Sequence, residues 1–355
     1  MTSRLTVALL FGGRSGEHEV SLRSGASVAE ALSLRHDVLP VLVDKGGRWL
    51  LQETPVPRPS GGTPVFLVPS PDDLGRLRRA ADGVAVASPD VYFPVLHGTF
   101  GEDGTVQGVF ELAAVPYVGS GVAASAAAMD KELMKALFAH AGLPQGRYRV
   151  LRGRDPAEEA LILEAFGLPV FVKPANLGSS VAVTKVKHAA DLGSALDLAL
   201  AYDRKALVEA AIEAREIEVS VLGNDHPEAS LPGEIVPDRE FYDYASKYSA
   251  ESRTRLLIPA PLDAAAVTDV RRLGLAAFRA VDASGYARVD CFLDRRTGQV
   301  LLNEINTIPG FTSISMFPKM WEATGLAYSD LLSRLLDLAR ERHRARGRLR
   351  TDYGA

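Results

Sequence analysis

Arg288-Val289-Asp290 and, a short interruption later, Asn303-Glu304-Ile305-Asn306-Thr307-Ile308-Pro309-Gly310 decide how this chain is read. Glu304 and Asn306 are two apart, so on a strand they share a face. Between the two pieces, Asp294-Arg295-Arg296-Thr297-Gly298-Gln299 has the composition of a turn, with apolar alternation on both sides. A hairpin centred near Thr297 sets Asp290 opposite Glu304. Three oxygen side chains, Asp290, Glu304 and Asn306, then converge on one patch. Hard oxygen ligands of this kind suit Mg²⁺ carried by nucleotide phosphates. Glu304 and Asn306 alone would equally fit an exposed polar hairpin face. Arg288 beside them and the glycine-ended loop after them favour the metal.

Outward from the hairpin, the pattern is that of an α/β chain. Residues 5–11 form an apolar run typical of a buried parallel strand. A tight Gly12-Gly13-Arg14-Ser15-Gly16 loop follows, then a helix from about Val20 with Val28, Ala31 and Leu32 on one face, then a strand over 38–43. Residues 45–90 hold many Pro and Gly and read as an elaboration on this first unit. A strand over 91–96 ends in His97-Gly98. An Ala-rich helical stretch with Met129, Met134, Leu137 and Phe138 opens a second unit. Strands over 170–173 and 182–186 flank a glycine-serine loop, and a helix over 191–201 precedes a strand over 205–209. The third unit has strands near 218–222 and 230–235, a polar loop over 237–251, and a helix over 263–281 with Val270, Leu273, Ala277 and Val281 on one stripe. The predicted units are therefore 1–119, 120–214 and 215–355, with the metal hairpin over 286–306.

Composition narrows the function. The chain has 355 residues, enough for two or three domains. A formal charge of -4 gives no field that selects nucleic acid or an anionic membrane. The single cysteine, Cys291, excludes an internal disulfide framework and a cysteine-based zinc site, and it sits in an apolar strand pattern that suits a buried thiol. No stretch is apolar enough to span a bilayer, and no secretory pattern precedes the first strand, so a cytoplasmic protein is expected. The arginines alternating over 340–350 read as a solvated helix end.

Several loops carry donors for an anion. Lys173-Pro174-Ala175-Asn176-Leu177-Gly178-Ser179-Ser180-Val181 exposes backbone N–H groups and hydroxyls of the kind a phosphate needs, with Lys173 as a fixed cation. Its spacing is not that of a Walker loop, and alone it also fits a hairpin turn. Lys131 is a second candidate phosphate cation. Glu209 and Glu216 stand where a base and ribose are held, though each alone also fits a surface carboxylate. The Gly12-Gly13 loop lacks dinucleotide spacing, and its glycines leave room for a small ligand instead. Glu17, near the following helix start, is placed either to hold a substrate ammonium or to favour the helix dipole. His97 lies past a strand end, where ligands of open α/β sheets bind, although a lone histidine there is also often structural. Phe241-Tyr242-Asp243-Tyr244-Ala245-Ser246-Lys247-Tyr248 is aromatic and charged, as in a lid over a ligand.

Taken together, and in this order along the chain, these segments resemble the D-alanine–D-alanine ligases of the ATP-grasp superfamily. The resemblance spans nearly the whole sequence. It implies an ATP-grasp fold and ATP-driven joining of two D-alanines, with ADP and phosphate released. Lys131 and Lys173 would then hold ATP phosphates with Ser179, Ser180 and Lys247. Glu209, Ala210 and Ile212 would form the adenine hinge beside Phe292, with Glu216 on the ribose. Asp290, Glu304 and Asn306 would hold two Mg²⁺, with Mn²⁺ able to substitute. Glu17 would bind the first D-alanine ammonium, linked to Ser179 and Tyr248. His97 and Met316 would line the substrate site, Ser315 would hold the second carboxylate, and Arg288 with the Gly310 N–H would meet the oxyanion. A homodimer is implied as well. Ala182, where the family usually has glycine, and Tyr-Ala-Ser-Lys-Tyr in the lid, where Tyr-Glu-Ala-Lys-Tyr is common, are departures. The nearest alternatives are a D-alanine–D-lactate ligase, disfavoured by Tyr248, another ATP-grasp carboxylate–amine ligase, and a nucleotide-binding regulator without turnover.

Overall fold

The computed structural model describes residues 4–54, 56–178, 181–237, 254–312 and 314–350. Among these the chain forms three sheets.

The first is built on β1 (Thr6–Gly12), which pairs in parallel with β2 (Asp37–Val43) and β7 (Val91–Pro94). β1 is buried on both faces, which is why its sequence is continuously apolar. Helix α1 (His18–Ser33) crosses over between β1 and β2, two residues longer at its start than the pattern suggests, and buries Val20, Val28 and Leu32. The 45–90 stretch is not loop. It adds β3 (Trp49–Leu51), β4 (Thr63–Leu67), β5 (Leu77–Arg79) and β6 (Ala85–Ala87) as an antiparallel extension beyond β2. Strands this short, separated by Pro and Gly, carry too little periodicity to be legible. After β7, α2 (Thr105–Leu112), α3 (Val122–Met129) and α4 (Lys131–His140) follow.

The second sheet is antiparallel, in the order β10 (Thr184–Val186), β9 (Val170–Pro174), β11 (Ala206–Ala210), β8 (Tyr148–Leu151). α5 (Pro156–Phe166) and α6 (Leu192–Tyr202) cover it through Ile162, Leu192 and Leu196. The third sheet runs β15 (Arg255–Leu257), β14 (Gly233–Val236), β12 (Ala214–Gly223), β16 (Gly285–Asp294), β17 (Val300–Asn306), with β13 (Glu228–Ala229) on β12. α7 (Ala264–Ala280) is capped by Asp263, which accepts from Ala266 N. Its Val270, Leu273 and Ala277 pack in one core with Val219 and Val289 of the sheet. The chain ends in α8 (Met316–Ala323) and α9 (Tyr328–Arg346).

Packing crosses the divisions at 119 and 214. Met134 and Phe138 of α4 join the core of the third sheet. Phe317 of α8 and Leu331, Leu332 and Leu335 of α9 join the core of β1. Each helix carries an apolar stripe that must be buried against some sheet, and the nearest one in space takes it. No helix among the described residues is long and apolar enough to cross a membrane.

Candidate active site

The three sheets surround one cavity of about 1340 Å³. Its floor is the β16–β17 hairpin. The register is the one the spacing predicts: Asp290 faces Glu304 and Arg288 faces Asn306, with an irregularity between Asp290 and Cys291. Arg288 Nε and Nη2 donate to the two Asp290 carboxylate oxygens at 2.7 Å each. Glu218, on β12 directly beside Asp290, brings a second carboxylate oxygen to 3.2 Å from Arg288 Nε. Burial works against the Arg288 charge, but Asp290 and Glu218 more than offset it and hold the guanidinium ionised. Asn306 Nδ2 donates to Asp290 Oδ2 at 3.1 Å. Cys291 is buried, and its thiol is raised well above its ordinary value by that burial.

Does this set fit Mg²⁺? Asp290, Glu304 and Asn306 all line the cavity, and their oxygens are the hard donors the ion takes. Among the described residues no cluster of three or more His, Cys, Asp or Glu could hold a metal alone. Two carboxylates and an amide fit an ion that keeps part of its shell for water and substrate phosphate, as Mg²⁺ does.

Above the floor stand the lysines. Asp130 caps α4, accepting from Glu132 N and Leu133 N, and so places Lys131 at the first helical position. Lys131 Nζ donates to Leu177 O at 2.8 Å and lies 3.7 Å from Glu304 Oε2. Burial pulls its pKa down, and the nearby Lys173 adds to that. Lys173 is next to last in β9 and sets its ammonium 2.6 Å from Glu209 Oε2. The other Glu209 oxygen is 2.9 Å from Lys135 Nζ. Burial opposes ionisation of Glu209, yet Lys173 and Lys135 outweigh it and hold the carboxyl down to about 2. Both oxygens of the Glu209 side chain are thus engaged by lysines. Ala210, Ile212, Glu216 and Phe292 line the same end of the cavity. Glu216 on β12 pairs with Phe292 on β16, a polar position beside a flat apolar one.

At the opposite end, Glu17 sits at the N-cap of α1, past the end of β1. A Cβ on Gly98 would fall 2.8 Å from its Oε2, and one on Gly178 3.0 Å, so glycine at both positions lets backbone close around this carboxylate. A Cβ on Gly12 would meet Val43 O at 2.4 Å, so glycine there lets the end of β1 lie close against β2. His97 lines the cavity, but both ring nitrogens have protein partners: Nδ1 with Ile308 O and Nε2 with Ser24 Oγ, each at 2.9 Å. It ties α1 to the loop after β17. That loop folds on itself, with Thr312 N donating to Ser315 Oγ at 2.9 Å and Gly310 close against the same hydroxyl. Ser315 is the N-cap of α8, and its side chain makes no capping hydrogen bond. Met316 reaches the cavity from a small apolar cluster with Ile235 and Met320.

Glu102 escaped the sequence reading, although it lies in the His97 to Gly104 loop. Gly98 N donates to it at 2.8 Å, and burial together with the Glu17 charge pushes its carboxyl up to about 8. Lys135 and Glu218 escaped too. Lys135 carried one available signal, its i,i+4 spacing from Lys131 on a helix. Ser179, Ser180, Lys247 and Tyr248 lie outside the described residues.

Two antiparallel sheets clasping a cavity with paired lysines and an acidic hairpin define the chain as an ATP-grasp protein. A family model described as "D-ala D-ala ligase N-terminus" matches residues 6–120, and one described as "D-ala D-ala ligase C-terminus" matches 137–337. The chain belongs to the D-alanine–D-alanine ligase family. It is 52% identical over 358 residues to the D-alanine–D-alanine ligase of Heliobacterium modesticaldum, covering 98% of each chain. It is 48% identical to the D-alanine–D-alanine ligase A of Bradyrhizobium diazoefficiens over the full length of both. Among solved structures it is similar to the D-alanine–D-alanine ligase of Coxiella burnetii, at TM-score 0.85, 35% identity and 97% of each chain. It is also similar to the VanG D-Ala:D-Ser ligase of Enterococcus faecalis, at TM-score 0.84 and 32% identity, covering 95% of this chain and 100% of that one.

Proposed function

We propose that this protein joins two D-alanines to D-alanyl-D-alanine at the expense of ATP, through a D-alanyl phosphate, and so supplies the dipeptide for peptidoglycan precursors. The observation that carries this reading is the facing of Asp290 and Glu304 beneath Lys131 and Lys173, all lining one cavity. A carboxylate does not condense with an amine in water without activation, and this arrangement suits making one reactive.

Lys131 and Lys173 neutralise phosphate charge and orient the nucleotide, whose base lies at the hinge of Glu209, Ala210 and Ile212, against Phe292 and with Glu216 near the ribose. Asp290, Glu304 and Asn306 would hold two Mg²⁺, or Mn²⁺ in their place, which would supply positive charge beside the phosphates. Glu17 accepts from the ammonium of the first D-alanine, with Ser179 and Tyr248 completing that network. His97 steadies the wall beside it, and Met316 closes the other side. Ser315 and the first turn of α8 receive the second carboxylate, as helix N-termini favour anions. The second amine attacks the acyl carbon. The Arg288 guanidinium and the Gly310 N–H then stabilise the oxyanion, and phosphate leaves. Ser180 and Lys247 complete the phosphate cage, and the 237–251 segment excludes water that would hydrolyse the acyl phosphate. The protein acts in the cytoplasm, as a homodimer, with 1–119 chiefly carrying substrate groups and 120–214 and 215–355 clasping ATP.

The test is ADP release with Mg²⁺-ATP and D-alanine, against L-alanine. Release with D-alanine alone supports the reading, and none with either overturns it. A D-alanine–D-serine or D-alanine–D-lactate product is the second reading, raised by the likeness to the VanG D-Ala:D-Ser ligase. A panel of D-alanine, D-serine and D-lactate as second substrate separates the three.

A further inference from the structure

Lys135 lies one turn after Lys131 on α4 but does not line the cavity. It is 2% exposed, so its charge is committed inside the protein. Its ammonium lies 2.9 Å from Glu209 Oε1 and over the Tyr148 ring, 5.3 Å from the centroid. Tyr148 and Glu209 are paired across β8 and β11, so strand and helix together fix this contact. The other Glu209 oxygen holds Lys173 at 2.6 Å. The lysine behind, the carboxylate between and the lysine in front therefore form one row, and only the last two reach the cavity wall.

We propose that Lys135 is a positioning residue for nucleotide binding, which shares Glu209 so that Lys173 stays aimed at the phosphates without being neutralised. The inference rests on Lys173 acting as a phosphate cation. With Lys135 present, the row carries a net positive charge. Without it, Glu209 and Lys173 cancel, and a phosphate must compete with a buried carboxylate for the ammonium. Lys135 never touches the ligand, so its effect falls on the phosphate end of the nucleotide and not on the base.

Calorimetric titration with ATP and with adenosine tests this on the full chain. Lys135→Met is expected to bind ATP about tenfold more weakly, with adenosine binding unchanged. KM for ATP rises accordingly, while kcat stays within about threefold. Adding Glu209→Gln to Lys135→Met keeps the strand backbone of the hinge, restores the positive charge of the row and recovers ATP binding. If wild type binds no ATP, the functional reading fails. If wild type binds it and Lys135→Met binds equally well, or loses adenosine in the same proportion, the positioning role fails alone. Should Lys135→Met not fold, Lys135→Gln is read in its place. If neither folds, the double variant decides: folding with ATP affinity near wild type supports charge sharing, and any other result makes Lys135 a packing residue and overturns the proposal.

Discussion

Arg288 and Asp290, two residues apart on β16, point to the same face and are joined by two parallel hydrogen bonds of 2.7 Å. Asp290 is also a proposed metal ligand, so the guanidinium and a divalent ion draw on the same two oxygens. Glu218 gives Arg288 a second carboxylate at 3.2 Å, a partner that does not depend on Asp290. Arg288→Met is expected to tighten Mn²⁺ binding, read by titration of the manganese electron-spin resonance signal, while lowering turnover by about 10² or more through loss of the oxyanion partner. Unchanged Mn²⁺ affinity would show that the arginine and the ion do not compete.

Removing the acid side gives the converse. Asp290→Ala with Glu304→Ala should abolish the Mg²⁺-dependent part of ATP uptake and leave metal-free uptake through the lysines. Calorimetry with and without Mg²⁺ reads this directly, and equal curves for variant and wild type would refute the metal assignment.

Lys173→Ala should weaken ATP binding and turnover together, because it removes the ammonium and leaves Glu209 to Lys135 alone. Lys173→Arg should rescue poorly, since a planar fork does not fit where Glu209 holds a compact ammonium at 2.6 Å. Steady-state KM for ATP in the two variants checks both statements.

Glu102 makes stability depend on pH in a defined direction. Its folded carboxyl is raised from 4.5 to about 8, so the folded chain binds a proton there that the unfolded chain has lost. That contribution is complete below pH 4.5 and disappears as pH rises to about 8. Glu102→Gln, which cannot ionise, should flatten the fall in melting temperature across this window. A variant that falls as steeply as wild type would place the charge change elsewhere.

Ala182, just past the glycine-serine loop, has φ of 55°, the left-handed region. A Cβ there costs on the order of 1 kcal/mol, so Ala182→Gly should stabilise the protein or leave it unchanged, after the entropy glycine adds to the unfolded chain. Chemical denaturation midpoints read the difference, and a loss above about 1 kcal/mol would mean that the alanine methyl is packed rather than strained.

What the sequence made legible was whatever left a local period or a two-residue spacing. The β16–β17 register followed from Asp290, Glu304 and Asn306, and the α7 stripe from Val270, Leu273 and Ala277. The 45–90 meander did not, because β3, β5 and β6 are three residues each. Lys135, beyond its spacing from Lys131, and Glu218 were hard to read because their meaning comes from neighbours far along the chain, Glu209 for one and Arg288 for the other. Family resemblance supplied roles for the cavity residues, but the engagement of both Glu209 oxygens and of both His97 nitrogens is a property of the folded chain alone.

Phe11 near the start of the chain and Leu335 near its end lie in the same core. During synthesis, then, the first core is completed only after residues 328–346 have left the ribosome, although α1 already covers part of it. A ligase shortened at its C-terminus would lose the backing of the wall that carries Glu17, although every residue proposed to touch a ligand would still be present.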